Sequence, residues 1–485
     1  MVQLITKVIS KILEEKLNSK LILFGAGKFL MLSEKIDDLK DVEKELNKIF
    51  FKNYFGESGV ILNYVKTTKR DLLNQENNVM KNTLIELGKK NEESKYQKFK
   101  DSLKEPIINV FEEAKRDDEI CEYCKKRVKD KNKEACEICE NEIKLGALLT
   151  KKNFVEIDIK EDNEEVLDDE VLILEFNSKK YIATFLTKKY VEENIKNKVD
   201  CKNEIFDIST LRMNEFPKWP LKSYVPLDKD GNIKTFEEIE ENSSGLMVLK
   251  ADVDRLGSTF KEFYFNSFRK FNRLSRELNF FFANYVPFMI SQNSKYKENI
   301  YIVFAGGDDL FMIGRYDVIV EFAKDLRDRF HKFSLEKATL SMGLVMFKSS
   351  TPVSYISEWA DEAEKEAKRV KDKNGNDRDG ICLFDRAMKF NEFKYIEKKL
   401  NNILKKEGDK INNSVLYKLI EIIDMADKEN ENITNTLWVS KLAYLAKRRN
   451  YSLNFVKDLR DLIKDYKGKV LPSLYLQIYK RRDNV

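Results

Sequence analysis

Asn299-Ile300-Tyr301-Ile302-Val303-Phe304-Ala305-Gly306-Gly307-Asp308-Asp309-Leu310-Phe311-Met312-Ile313-Gly314 is the stretch on which the fold turns. Two β-branched and aromatic runs flank Gly306-Gly307-Asp308-Asp309, so they read as buried strands. The paired glycines between them read as the tight turn of a hairpin. Asp308 and Asp309 then sit together at its tip. Adjacent carboxylates repel one another; a divalent cation offsets that cost, and Mg²⁺ prefers one or two carboxylates plus substrate phosphates. The glycines leave room for a triphosphate to approach the backbone. Asp308 and Asp309 are therefore candidate catalytic, metal-binding residues, and Gly306 and Gly307 candidate substrate contacts.

A polar hairpin tip alone fits a solvated turn equally well. The second stretch that matters is Gly245-Leu246-Met247-Val248-Leu249-Lys250-Ala251-Asp252-Val253-Asp254-Arg255-Leu256-Gly257, another apolar strand ending in carboxylates. In a palm-type polymerase or cyclase such a strand lies beside the hairpin, and the carboxylates of both converge on two metals, as in-line phosphoryl transfer requires. Asp252 joins the candidate metal set. The strand runs into Gly257-Ser258-Thr259 and a helix, whose free N–H groups could hold phosphate, so Gly257 and Ser258 are further candidate substrate contacts.

Outward from there, the pattern reads strand 246–252, helix 257–290 with a break at Pro287, strands 300–304 and 309–313, helix 316–333, strand 338–347, helix 352–371 and a closing strand from Ile381 to Phe384. That is βαββαβ with an addition, a ferredoxin-like palm over 245–388. The helix at 352–371 presents Lys365, Lys368 and Arg369.

The same order appears at the front of the chain. A helix at 3–18 precedes a strand–glycine–strand run at 21–32, a helix at 38–53 and a strand-like Val60–Val65. At an offset of 280, Phe24 matches Phe304, Gly27 Gly307, Leu30 Leu310, Leu46 Leu326 and Phe50 Phe330. This is a diverged internal duplication. Lys28 and Phe29 stand where Asp308 and Asp309 stand, so the first copy holds no metal there. It also has no counterpart of strand 246–252, which leaves an unpaired position in its sheet. Residues 1–115 are expected to form an inactive first palm, with a long charged helix at about 77–115.

Between the copies, Cys121-x2-Cys124-x11-Cys136-x2-Cys139 stands in a polar context within 116–150. In a cytosolic chain such pairs bind structural Zn²⁺ rather than form disulfides, and four filled positions argue against catalysis. Cys201 and Cys382 are isolated. Residues 151–244 read as a small β-rich insert and a proline-containing connector, and 389–485 as all helical, with basic Lys447-Arg448-Arg449 and Lys480-Arg481-Arg482. The fold class is thus α+β: two palms, a zinc-binding insert and a helical C-terminal domain.

The 485 residues carry a formal net charge of +5, which does not mark a free nucleic-acid binder. No apolar run is long enough to span a membrane and no signal peptide is evident, so the cytoplasm is the expected location. His331, the single histidine, ends a helix and excludes a histidine-rich metal nuclease.

These features together resemble one family, the large signature subunit of type III CRISPR effector complexes, Csm branch. They are the paired palms, Gly306-Gly307-Asp308-Asp309, the Leu249–Gly257 strand, the double Cys-x2-Cys and the helical end. Gly25–Phe29, Tyr224-Val225-Pro226, Gly231 and Thr235–Ile239 add to the likeness. The resemblance implies a target-RNA-activated enzyme that polymerises ATP into cyclic oligoadenylates. Mg²⁺ (or Mn²⁺) would be held by Asp252, Asp308 and Asp309, with Lys368 on the triphosphate. It also implies crRNA, target RNA, RAMP-type subunits and a small helical subunit as partners. A non-catalytic scaffold of the same ribonucleoprotein and a stand-alone dinucleotide cyclase are the alternatives. Family members usually begin with a histidine-aspartate nuclease domain, which this sequence lacks. A separate polypeptide supplying nuclease and strand is one account of that. The purified chain is expected not to cut single-stranded DNA; metal-dependent cleavage in a gel assay would sink that expectation.

Overall fold

The computed structural model describes residues 1–25, 27–54, 56, 58–73, 79–100, 119–195, 205–208, 219, 221, 224–259, 268–372, 375 and 377–483. The chain divides into two compact units, one of residues 1–222 with 257–284, the other of 223–256 with 285–485. Among the described residues no helix is long and apolar enough to cross a membrane.

In the first unit, α1 (Val2–Leu17) forms because Ile5, Val8, Ile9, Ile12 and Leu13 recur at helical spacing and bury one face. It leads into a hairpin of β1 (Ser19–Gly25) and β2 (Lys28–Ser33), then α2 (Leu39–Tyr54) and, further on, α3 (Val79–Lys95). The part of the expected helix over 101–115 lies outside the described residues. Val60–Val65, expected as a strand, is not one. Its apolar side chains are buried at Val60 and Leu62, but among the described residues no strand pairs with it, and periodicity alone cannot supply a ladder partner.

β3 (Glu119–Ile120) and β4 (Val128–Lys129) form a short hairpin ahead of α4 (Glu137–Lys151). Next come β5 (Phe154–Glu161), β6 (Glu170–Phe176), β7 (Lys179–Leu186) and β8 (Ile205–Asp207), in an antiparallel sheet of order β6-β7-β5-β8. This sheet, expected to be a small insert, shares its core with α1 and α2. Val155, Ile157, Val171, Ile173 and Phe185 belong to one buried cluster with Leu4, Val8, Ile12, Leu46 and Phe50.

The second unit is built on a six-stranded sheet of order β10-β11-β9-β12-β13-β14. Its strands are β9 (Leu246–Val253), β10 (Ile300–Gly306), β11 (Asp309–Arg315), β12 (Leu340–Phe347), β13 (Gly380–Leu383) and β14 (Arg386–Lys389). β9 lies between β11 and β12 and pairs antiparallel with both. That is the strand order of a ferredoxin-like fold, extended at the β12 side by a parallel β13 and by β14, a short strand that the sequence did not signal. Of the helix expected over 257–290, residues 257–284 belong to the first unit and residues 260–267 lie outside the described set. The helix appears as Leu256–Thr259, Phe268–Phe280, a π-turn at Phe281–Tyr285 and Val286–Ser291 with Pro287 in its first turn.

α5 (Tyr316–Phe333) packs Val320, Phe322, Ala323, Leu326 and Phe330 inward. α6 (Val353–Arg369) crosses β12 and β13 at two glycines: a Cβ on Gly343 would strike the backbone of Glu364, and one on Gly380 the carbonyl of Ala367. Five helices follow toward the C-terminal end: α7 (Phe390–Glu407), α8 (Asn413–Asp427), α9 (Trp438–Arg449), α10 (Leu453–Tyr466) and α11 (Leu471–Asp483). Of the two basic clusters, Lys447-Arg448-Arg449 is exposed. In the other, Arg481 donates to the Ile411 carbonyl and Arg482 to the Tyr417 hydroxyl, so these arginines tie α11 to the helical core.

The two copies of the hairpin align one residue away from the sequence reading. Gly25 pairs with Lys28 as Gly306 pairs with Asp309, and the bulges at Leu21/Leu23 and Ile302/Phe304 correspond, giving an offset of 281. Leu46 and Leu326, both buried, keep 280. The slip arises in the turns. Gly27, at the second turn position of the first copy, is left-handed, and so is Gly307, at the first turn position of the second. Gly27 and Lys28, rather than Lys28 and Phe29, therefore occupy the positions of Asp308 and Asp309.

Candidate functional site

Asp252 and Asp309 sit directly opposite each other where β9 and β11 end. Side chains at opposed positions in a sheet are near neighbours, and two like charges there destabilise the pair. Asp308 occupies the turn, and its carbonyl accepts from the Val253 N–H at 3.3 Å, which locks the hairpin tip onto β9. Gly307 has φ 66°, and a glycine at the first position of a two-residue turn admits that angle without strain. Gly306 is buried, whereas Asp309 is exposed.

Positive charge comes from the face that α6 covers. Lys368 Nζ lies 2.5 Å from Asp252 Oδ2 and also contacts Glu364. One strand pleat back, Lys250 Nζ is 2.5 Å from Asp361 Oδ1 and 3.8 Å from Glu364 Oε2. Lys250, Asp361 and Glu364 are part of the site that sequence reasoning missed. Their signal was the i, i+2 spacing of Lys250 and Asp252 on one strand face. Reading Asp361 and Glu364 as its partners required knowing that α6 lies over that face.

Burial pushes the Asp252 carboxyl up; Lys368 pulls it down, Asp309 and Asp308 push it up again, and it rests at about 7. For Lys368 the balance runs the other way: burial lowers it, but Asp252 and Glu364 outweigh that and hold the ammonium above its usual range. The folded Asp252 thus binds its proton more tightly than the unfolded chain, whose carboxyl titrates near 3.8. Its contribution to stability is complete below pH 4 and is lost as pH rises through 7. Asp252→Asn is expected to flatten the pH dependence between those limits and to stabilise the Mg²⁺-free protein at pH 8 by about 1–3 kcal/mol. Thermal melts at pH 5 and pH 8 check this; a variant less stable than the parent at pH 8 refutes it.

Asp254, in the same Asp-Val-Asp run, is 5% exposed and does other work. Its carboxylate accepts from Thr339 Oγ1 (2.6 Å), Ser341 Oγ (2.7 Å) and the Asp379 N–H (2.9 Å), while its own N–H donates to the Thr339 carbonyl. It pins the end of β9 to the starts of β12 and β13. Gly257 and Ser258 are exposed in the single turn Leu256–Thr259, and residues 260–267 lie outside the described set. Lys365 is exposed. His331 lies in the last turn of α5, where its backbone carbonyl accepts from Ser334 and Glu336.

The second site is the cysteine group. The ligand atoms of Cys121, Cys124, Cys136 and Cys139 all lie within 4.8 Å of one another. A tetrahedral metal with sulfur at about 2.3 Å sets its ligands roughly 3.8 Å apart, and Cys124 Sγ and Cys136 Sγ are separated by 3.9 Å. The four thiols therefore fit Zn²⁺. Two come from the β3–β4 hairpin and two from the start of α4. Burial opposes ionisation of Cys121, but N–H groups of Cys124, Cys136 and Tyr123 outweigh it and bring the thiol to about 6.

The family model for the Cas10/Cmr2 second palm domain matches residues 246–376, and that for Csm1 subunit domain B matches residues 1–113. Among curated proteins, the chain is similar to the CRISPR system single-strand-specific deoxyribonuclease Cas10/Csm1 (subtype III-A) of five organisms, Streptococcus thermophilus and Mycobacterium tuberculosis among them. With that of Streptococcus thermophilus it is 24% identical over 458 residues, 89% of this chain and 54% of the relative. With that of Mycobacterium tuberculosis it is 30% identical over 240 residues, 44% of this chain and 28% of the relative. The chain thus spans less than two thirds of either relative. Solved structures share the fold. The Csm1-Csm4 subcomplex in the type III-A CRISPR-Csm interference complex superposes with a TM-score of 0.66 at 19% identity, covering 98% of this chain and 65% of that one. The Csm1-Csm4 cassette in complex with cA4 gives 0.65 at 19%, covering 98% and 65%.

Proposed function

Because the chain belongs to the Cas10/Csm1 family, in its Csm branch, we propose that its second palm polymerises ATP into cyclic oligoadenylate when a type III-A effector complex binds target RNA. The observation that carries this is the opposition of Asp252 and Asp309 across two paired strands, with Asp308 in the adjoining turn and Lys368 against Asp252. Asp254 anchors strand ends, whereas Asp252, Asp308 and Asp309 stand together at the hairpin end of the sheet. Their oxygens are the hard donors that Mg²⁺ or Mn²⁺ takes, and such an ion, when bound, would offset the charge of the triphosphate and of the attacking oxygen.

The chain's own groups bind and orient. Gly306 and Gly307 present no side chain to an approaching triphosphate. Lys368, mounted on α6, can transfer its ion pair from Asp252 to a phosphate oxygen once that carboxylate has a metal partner. Lys250 is held by Asp361 and Glu364, one pleat back from Asp252. The 3′-hydroxyl of one nucleotide attacks the α-phosphate of the next and pyrophosphate leaves. The first hairpin, with Gly27 and Lys28 at the equivalent positions, serves as a non-catalytic palm. Zn²⁺ on the four cysteines is structural. Csm4, which accompanies Csm1 in the neighbouring structures, is a proposed partner, as are crRNA, target RNA and the remaining subunits.

The test is ATP turnover by the chain assembled in its complex, with Mg²⁺, with and without target RNA. RNA-dependent release of pyrophosphate together with a new nucleotide product is the expected result. No turnover with target RNA bound would assign the chain a scaffold role instead.

A further inference from the structure

Lys368 is paired with the carboxylate that a metal ion would take. Its Nζ lies 2.5 Å from Asp252 Oδ2. A divalent cation on Asp252 repels that ammonium, and lysine is a strongly hydrated charge on a flexible four-carbon stem. With no second acceptor in reach it would swing out to water and be poorly placed for an incoming triphosphate.

Glu364 stands where that acceptor is needed. It lies one helical turn before Lys368 on α6, the favourable order for an i, i+4 pair of these charges. Its side chain contacts Lys368 Nζ through Oε1, which is buried and, among the described residues, takes no other hydrogen bond. Glu364 is 5% exposed, and a buried carboxylate left unpaired is costly, so it requires a cation. Lys250 is 3.8 Å away and already holds Asp361 at 2.5 Å. Lys368 is therefore the cation that Glu364 serves. Along the joint between α6 and β9 the charges alternate in the order Asp361, Lys250, Glu364, Lys368, Asp252.

The place of Glu364 is set by the backbone. Gly343 is the partner of Lys250 in the β12–β9 ladder, and a Cβ on it would lie 2.4 Å from the Glu364 nitrogen. The helix is pressed onto the strand at this residue, so the carboxylate cannot follow Lys368 away from the sheet. We propose that Glu364 is a positioning residue. It is the second acceptor of Lys368 and keeps the ammonium beside the site while Asp252 turns to a metal ion, until a triphosphate arrives. The inference rests on the reading of Asp252 as a metal ligand.

The test reads where Lys368 is, in the full chain and without turnover. Lysines are labelled briefly with an acetylating reagent and each is quantified by mass spectrometry. The first arm uses no metal; Asp252→Asn stands in for a carboxylate engaged elsewhere. Lys368 is expected to label within about twofold of the parent in Asp252→Asn and in Glu364→Gln, and at least about tenfold faster in the double variant. Lys324, paired with Glu397 at 2.8 Å, is expected to label equally in all four chains, which reports intact folding. Lys368 exposed by Asp252→Asn alone, or unchanged in a folded double variant, overturns the proposal. Should Lys324 also label faster, the double variant has unfolded and the second arm decides.

That arm adds Mn²⁺ without nucleotide to the parent and to Glu364→Gln, with binding followed by loss of the free-ion electron paramagnetic resonance signal. At saturation Lys368 labelling is expected to rise at least about fivefold in Glu364→Gln and less than about twofold in the parent. Equal rises in both chains overturn the proposal. A parent that binds no Mn²⁺ through Asp308 and Asp309, judged against Asp308→Ala/Asp309→Ala, refutes the metal reading itself and this inference with it, so the two failures are told apart.

Discussion

Asp308→Ala/Asp309→Ala, in the complex with target RNA bound, is expected to lose pyrophosphate release from ATP by about 10³-fold or more. A loss of that size corresponds to roughly 4 kcal/mol of transition-state stabilisation. The substitution removes two of the three carboxylates at the end of β9 and β11 while leaving the hairpin's backbone bonds in place. It also removes like charge beside Asp252, so thermal stability without metal is expected to hold or rise. That combination, activity gone and stability kept, separates a metal site from a folding element. Asp254→Ala supplies the contrast. It strands the hydroxyls of Thr339 and Ser341 and the N–H of Asp379, and is expected to cost stability first. A double variant that turns over ATP at the parental rate removes the palm from the reaction.

The second large effect is at the cysteines. Cys136→Ser, or extraction with a strong chelator, is expected to release one zinc per chain and to unfold residues 119–151 as a block. The metal's contribution to such small modules is on the order of 10–16 kcal/mol, far beyond what this segment can recover by burial. Its own buried cluster is little more than Ala135 and the cysteines themselves. The loss should propagate, because Cys136 begins α4, Leu145 of that helix lies in the core with α1, and Asn141 Nδ2 donates to the Leu172 carbonyl. Metal analysis together with limited proteolysis reads both parts. A chain that holds no zinc when purified without chelator, yet resists protease across 119–151, contradicts the assignment.

Much of this was legible beforehand because the signals were local. The apolar runs either side of Gly306-Gly307-Asp308-Asp309 have no other stable arrangement than a hairpin, and the spacing of the cysteines fixes their convergence. The duplication was legible in element order. What failed did so where a partner, not a propensity, decides. Val60–Val65 has the composition of a strand and no ladder to join. β14, with Arg386 and Lys389 at its ends, has a ladder and little strand composition. The hairpin offset slipped by one because glycine was matched to glycine, whereas Gly27 and Gly307 hold different turn positions in the two copies. Asp252 and Asp254 look equivalent in sequence. Only the approach of β12 and β13 makes one of them a buried anchor.

Gly343 and Gly380 bring α6 to within a methyl group's thickness of β12 and β13. The consequence concerns how the proposed site can be altered. Lys368 and Glu364 ride on that helix, so their coordinates are geared to the sheet that carries Asp252, and there is no clearance in the joint. Retuning the palm for a larger or smaller base by sliding the helix is closed as an engineering route, since even alanine at either glycine would jack α6 away and take the lysine with it. Variation in substrate choice must then come from exchanging side chains on a frame whose spacing is fixed.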